Sequence, residues 1–412
     1  MTRHTPISVF MLALLSTTSL GQTLRGAWVV CTRDLKLRES LIDHADEREL
    51  VLLSEYGIRS RVAMSDVLFM VQSETQDAPV AEIVGAPLPE RSPVRLVTLI
   101  DAQVVRGTII EPELPEQLAF TLIAGRSTRG QARIPIERVR RIADVQAPPV
   151  SNDAASLRDD TLITRTGDEI VGFIESIGPM TRVSLRDGSE LEIETSRLSE
   201  VHFANERENI PGIYLTMNDH ETLRAGVFEY DNQQPITIDV DTTALGLDDT
   251  GNSTWIFDTN SLRSLQVIDP ALRVVGLGEI EPDRVEANGD RDWVPVPVLL
   301  DRASAHPTLS SIDFPSPMRV SYTLPRGATR FACNIETPVQ QWTDCVVRVI
   351  AQSNSGAKTL LEQRFNSTSP AAELNMRLPM GATALIIEID PGEHGPIQDR
   401  VLLHQPRLLI EG

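Results

Sequence analysis

The chain has 412 residues, 38 Lys and Arg against 58 Asp and Glu, and a net charge of -20. That length allows two to four domains, and with 41% hydrophobic but only 4% aromatic residues it can bury cores while few sites can be built from rings. The acidic balance argues against nucleic acid, which needs clustered basic side chains on its phosphates, and against an anionic membrane surface.

Residues 1–21 are expected to be a secretory signal peptide. Arg3 and His4 precede the apolar run Val9 to Leu15, and Ser19 and Gly21 are small residues before a cut at Gln22. The run is shorter than the roughly 20 apolar residues that span a bilayer. The alternative is an uncleaved anchor or a buried helix. The product is expected to be secreted, periplasmic or held at the cell envelope, and not membrane-spanning. Cys31, Cys333 and Cys345 are the only cysteines. Cys333 and Cys345 lie on apolar runs that read as neighbouring strands, so they form either a disulfide or two buried thiols. Cys31, in Trp28-Val29-Val30-Cys31, reads as core.

The next two thirds carry a degenerate repeat. Leu96 to Leu99, Leu162 to Thr164 and Tyr214 to Thr216 each lead through a polar turn into a second apolar run, which holds Gly107, Gly172 or Gly226. Three endings share an i, i+5, i+8 spacing: Ile134, Val139, Ile142; Ile193, Leu198, Val201; and Phe257, Leu262, Leu265. Val62, Val67 and Met70 repeat it earlier, in a unit without the glycine. The spacing suits a strand, one tight helical turn and another strand. A Gly within a strand marks a bulge or sharp bend. Four β units are therefore expected, at 22–72, 93–146, 158–204 and 211–269. Their strand rhythm, and the turn Arg165-Thr166-Gly167-Asp168-Glu169, resemble SH3-like or Sm-like barrels. Pro-rich linkers fall at 73–93 and 147–157, and the one short helix-period stretch is the charged Asp43 to Glu49.

From 271 to 412 the strand-like runs lengthen and stop repeating: Met318–Leu324, Cys345–Ala351, Leu374–Leu378, Ala384–Ile389 and Arg407–Ile410. This spacing suits a β-sandwich or jelly roll. The fold class is all-β, tandem small barrels followed by a jelly roll. Met318 to Leu324 with Thr329-Arg330-Phe331-Ala332-Cys333, then Val346 to Val349 and Lys358-Thr359-Leu360, and finally Ala384 to Gly392 with Gly395, Asp399 and Pro406-Arg407-Leu408, resemble the NPCBM family of secreted, galactose-binding-like modules. Arg400 follows Asp399 where the family often has His, and Leu402-Leu403 stand where it often has Trp.

The resemblance implies a carbohydrate-binding module with no catalytic domain. Rings and polar side chains that could contact a sugar are Trp342, His394 and Trp293. Galactose-binding-like folds often hold a structural Ca²⁺, for which Asp390, Glu393 and Asp399 are the candidates; no cofactor is required. Asp239, Asp241, Asp248 and Asp249 form either another oxygen-rich cation site or a solvated acidic loop. No zinc, P-loop, Rossmann or nucleophile-elbow motif occurs, and His202 reads as an ordinary strand histidine. The chain is expected to be a non-catalytic binding protein for a polysaccharide or envelope glycan. The alternative is an extracytoplasmic scaffold without sugar binding.

Overall fold

The computed structural model describes residues 27–54, 56–73, 93–124, 127–145, 158–232, 234–240, 242, 245–247, 254–287, 296–300, 307–315, 317–338, 343–393, 395 and 399–412. The leader and both Pro-rich linkers lie outside them, apart from Ser73 and Pro93. Short apolar runs broken by polar turns give strands throughout.

The first twenty strands repeat one arrangement four times. The first unit contains β1 (Trp28–Thr32), β2 (Leu37–Asp46), β3 (Glu49–Leu53), β4 (Arg59–Ala63) and β5 (Val67–Gln72). The second contains β6 (Val94–Leu99), β7 (Val104–Ile109), β8 (Gln117–Ala124), β9 (Ser127–Pro135) and β10 (Val139–Asp144). The third contains β11 (Asp160–Thr164), β12 (Glu169–Ile177), β13 (Met180–Leu185), β14 (Glu190–Glu194) and β15 (Leu198–His202). The fourth contains β16 (Gly212–Met217), β17 (Thr222–Asp231), β18 (Ile236–Val240), β19 (Thr254–Phe257) and β20 (Leu262–Ile268). In each, four strands meander antiparallel, a 3₁₀ turn follows, and the fifth strand returns to pair with the first.

The i, i+5, i+8 spacing is the trace of that return. Its middle residue opens the fifth strand directly after the 3₁₀ turn, as Val67, Val139, Leu198 and Leu262 do. The first hairpin turn is also shared. The amides of Arg33, Ile100, Arg165 and Asn218 donate to the carbonyls of Asp66, Arg138, Arg197 and Ser261, each the last residue of its unit's 3₁₀ turn. Two residues later in these turns stand Leu35, Ala102, Gly167 and His220, all at positive φ. Only glycine adopts that conformation without strain.

The glycines repeat less strictly. Gly107 pairs with Leu122, and Gly172 with Leu185, at equivalent positions of the second strand. A Cβ on Gly107 would lie 2.0 Å from the Thr121 carbonyl oxygen, and one on Gly172 would lie 2.6 Å from that of Ser184. In the fourth unit Ala225 holds this position, and Gly226 is the extra residue of the adjacent bulge. The charged stretch Asp43 to Glu49 is the end of β2, the tight turn at Glu47 and Arg48 and the first residue of β3, with Asp46 Oδ1 accepting from the amides of Arg48 and Glu49 at 2.8 and 2.7 Å.

The units join through their fifth strands. β5 pairs antiparallel with β20, centred on Met70 opposite Leu265. β10 pairs with β15 in the same way, centred on Ile142 opposite Val201. These central residues are the i+8 positions of the repeat. Each also faces its own unit's first strand, giving two continuous rows: Val30, Met70, Leu265, Leu215 and Val97, Ile142, Val201, Leu162. All eight side chains are buried. The second and fourth units meet at the buried polar pair Asp101 and Gln103, where Gln103 Oε1 accepts from the Arg224 amide at 3.1 Å.

The remaining strands are β21 (Leu272–Gly276), β22 (Arg284–Ala287), β23 (Val298–Leu300), β24 (Ser311–Pro315), β25 (Met318–Thr323), β26 (Ala328–Glu336), β27 (Asp344–Ser353), β28 (Gly356–Asn366), β29 (Ala371–Arg377), β30 (Ala382–Pro391) and β31 (Arg400–Glu411). They form two sheets, ordered β23-β24-β31-β26-β29 and β22-β25-β30-β27-β28, with β21 added along β31. Phe314, Phe331 and Phe365 fill the space between them with Tyr322, each burial stabilising the fold by about 2–3 kcal/mol.

Cys333 on β26 and Cys345 on β27 therefore belong to opposite sheets and are not on neighbouring strands. All three cysteines are free, buried thiols, which corrects the disulfide reading. The sheet holding β31 packs on the first unit through Cys31, Leu35, Phe69, Ala332 and Leu409. Arg407 donates from Nε and Nη2 to the Leu35 carbonyl, and Asn375 Nδ2 donates to that of Asp34 at 2.8 Å. The strained first-unit turn is thus capped by the C-terminal module.

Candidate binding site

A polar constellation of the jelly roll lies where β27 begins and β30 ends. Asp344 is nearly fully buried, yet it sits at the start of an apolar strand. A carboxylate there must be hydrogen-bonded or neutralised. Arg364 does both, donating from Nε and Nη2 to the two carboxylate oxygens at 2.6 and 2.8 Å. Register explains the contact: Asp344 pairs with Asn366 and Val346 with Arg364, so the two residues are diagonal neighbours across β27 and β28. Asp344 Oδ2 also accepts from the Glu393 amide at 2.7 Å, and the Asp344 carbonyl accepts from the Gly392 amide at 2.6 Å. A Cβ on Gly392 would lie 2.3 Å from Asp344, so the approach requires glycine.

The outer side of this cluster faces solvent. The Arg364 side chain is 48% exposed and meets Glu393 Oε1 at 3.2 Å. Its hydrogen bonds to Asp344 and then Glu393 raise the guanidinium pKa. The result is a fixed rim of donors and acceptors anchored by a buried carboxylate. It offers oriented hydrogen bonds.

The residues expected to carry a cation are used otherwise. Asp390 is ion-paired with Arg348, Glu393 with Arg364, and Asp399 Oδ1 accepts from the Asp344 amide at 3.1 Å. Among the described residues no three His, Cys, Asp or Glu side chains converge as metal ligands. Trp342, His394 and Trp293 lie outside the described residues, as do Asp241, Asp248 and Asp249. Asp239 accepts from Thr254 Oγ1 at 2.6 Å. His202 is a satisfied strand histidine: its Nε2 lies 2.9 Å from Glu200 Oε2, which also takes Arg141 at 2.8 Å. Burial lowers its pKa, against the opposing pull of Glu200.

Sequence reading missed Asp344 and Arg364. Their signal was an acidic residue opening an otherwise apolar strand, with an arginine one diagonal step away on the next. It becomes readable only once the pairing is known.

The fold is all-β and ends in a two-sheet jelly roll. Solved structures similar to parts of the chain include a family 51 carbohydrate-binding module from a Clostridium perfringens family 95 glycoside hydrolase, in complex with methyl-galactose. It is 10% identical, with a TM-score of 0.25 over 33% of this chain and 99% of the module. A family 6 carbohydrate-binding module from Clostridium stercorarium, in complex with cellobiose, is 12% identical, with a TM-score of 0.21 over 34% of this chain and 95% of the module. A family 43 arabinoxylan arabinofuranohydrolase from Bacillus subtilis, in complex with cellotetraose, is 10% identical, with a TM-score of 0.25 over 90% of this chain and 80% of the enzyme. No family model matches the chain, and no curated protein does.

Proposed function

We propose that this is an exported, non-catalytic binding protein whose jelly roll takes a polysaccharide or envelope glycan at the Asp344–Arg364–Glu393 rim. The observation that carries this reading is the rim itself. Sugar hydroxyls need donors and acceptors held in fixed orientation, and Arg364 and Glu393 are exposed yet pinned by one buried carboxylate. Trp342 precedes Asp344 by two residues and His394 directly follows Glu393, so in sequence both flank the rim. They are the proposed ring contacts, with Trp293 as a third. The module is read as NPCBM-like, and the preceding units as SH3- or Sm-like barrels. Binding needs no catalytic residue and no Ca²⁺.

The test is a glycan panel probed with the full mature chain, with and without Ca²⁺. The expected result is Ca²⁺-independent binding to at least one glycan, weakened about tenfold or more by Arg364→Ala or Trp342→Ala. No binding by a folded chain would overturn the reading, and hydrolysis of a glycan would overturn its non-catalytic part. The packing of the first unit on the jelly roll favours a second reading, a scaffold in which the module holds the chain together; failure on every glycan would support it.

A further inference from the structure

Arginines in this acidic chain are commonly held by a carboxylate, as Arg33, Arg165 and Arg319 are. Arg140 on β10, Arg207 between the third and fourth units, and Arg273 on β21 are exceptions. Among the described residues their side chains form no ion pair and no hydrogen bond.

The backbone brings the three together. The Phe203 amide donates to the Arg140 carbonyl, and the Glu208 amide to that of Ile100, both at 2.8 Å. Asn205 Nδ2 donates to the Ile136 and Val139 carbonyls at 2.8 and 2.7 Å. The connection after β15 therefore lies along the 3₁₀ turn and β10 of the second unit, which sets Arg207 beside Arg140. It ends at Gly212, which pairs with Ile268, and the tight turn from Asp269 to Leu272 then delivers Arg273 to the same junction. Arg207 and Arg273 are exposed and Arg140 is half-buried, so the cluster opens to solvent.

Its charge is not cancelled locally. Desolvation first, and then the charges of Arg140 and Arg273, lower the Arg207 pKa, with Tyr214 opposing them. The charges that act most on Arg207 are thus two like charges. Glu206 and Glu208 flank it in sequence, but both are exposed and pair with none of the three arginines. Glu200 is taken by Arg141 and His202, and Asp269 by Arg33. A guanidinium stays charged in any protein setting, so this crowding is relieved by bringing in an anion. Donors on three separate segments approach from different directions. A carboxylate offers two oxygens on one side, whereas a tetrahedral oxyanion offers more oxygens and a second charge.

We propose that Arg140, Arg207 and Arg273 together bind a tetrahedral, doubly charged oxyanion. Phosphate, sulfate and a phosphate ester carried on a sugar share that chemistry. Titration calorimetry on the full chain, at low ionic strength and about pH 8, where phosphate is doubly charged, separates them with four probes: inorganic phosphate, sulfate, glucose 6-phosphate and acetate.

At least one tetrahedral anion should bind with a Kd of about 1 mM or tighter, and acetate at least about tenfold more weakly. The tightest of the three tetrahedral probes identifies the source. Arg207→Gln and Arg273→Gln should each weaken binding about tenfold. Both side chains are exposed and unbonded, so the melting temperature without ligand should not fall, and the rise in melting temperature given by the bound anion should shrink. Lys358→Gln makes the same charge change on β28, in the opposite sheet of the jelly roll from β21, and should leave binding unchanged. No binding of any tetrahedral probe, acetate binding as tightly as the best of them, binding indifferent to Arg207→Gln, or an equal loss from Lys358→Gln would each overturn the proposal.

Discussion

Replacing Ile142 by alanine tests how the units are joined. Ile142 lies in the row Val97, Ile142, Val201, Leu162, whose first two residues belong to the second unit and last two to the third. It is 1% exposed. The substitution removes three carbon groups at about 0.8 kcal/mol each and leaves a cavity between close-packed strands, for a cost of about 3–4 kcal/mol. At about 1.4 kcal/mol per tenfold, amides that exchange only through opening of this region should exchange roughly a hundredfold to several hundredfold faster. Because a chain of several units need not unfold in one step, the assay is hydrogen exchange read peptide by peptide. Protection should fall in 94–99 and 139–144, and equally in 160–164 and 198–202, while 318–323 and 382–391 stay unchanged. Loss confined to the second unit would refute the continuous row, because the third unit would then be stable without its neighbour.

Other outcomes follow from single contacts. Gly107→Ala should destabilise the fold by about 2–3 kcal/mol in urea titration, since its Cβ would lie 2.0 Å from a backbone oxygen, whereas Gly226→Ala, with its nearest atom at 3.5 Å, should stay within about 0.5 kcal/mol. Burial pushes the pKa of Cys31, Cys333 and Cys345 up to about 12, so none should react with a thiol reagent in the native state, and all three should react after unfolding without reductant; only one reacting thiol would reinstate a disulfide. Arg407→Ala would leave the buried Leu35 carbonyl without its donors and should cost about 2–4 kcal/mol, read as faster proteolysis at the junction of the first unit and the jelly roll. His202 is held neutral by burial, while the unfolded chain takes a proton near 6.5. Its contribution is therefore full above that pH and is lost as pH falls towards the lowered folded value. His202→Gln should flatten the melting temperature between pH 7 and 5 relative to the parent chain.

The repeat was legible because its geometry is local. A 3₁₀ turn between two short strands fixes the spacing of Val139 from Ile134 and of Ile142 from Val139, whatever the rest of the chain does. Gly226 misled for the opposite reason: a bulge shifts register by one residue, and only the pairing partner reveals it. The packing of the jelly roll on β5 left a trace in Val67-Leu68-Phe69-Met70-Val71, a run of five apolar residues where alternation would mark a strand with one wet face. That trace says both faces are covered, without saying by what. The thiols were misplaced because twelve residues of separation fit adjacent strands as well as opposite sheets. The rim was hidden because Asp344 and Arg364 meet only through cross-strand register.

The order of joining has a consequence for how the chain is made. The second unit pairs with the third, which follows it directly. The first pairs with the fourth and also carries the terminal jelly roll. A chain emerging amino terminus first therefore presents β5 as an open, largely apolar edge until β20 arrives about 190 residues later, an interval of roughly 10–40 seconds at ordinary synthesis rates. Such an edge is a template for pairing with another molecule. Producing this protein in quantity is thus a race between its own fourth unit and a neighbouring copy, and a version truncated before residue 262 should aggregate through its first unit rather than persist as a shorter soluble protein.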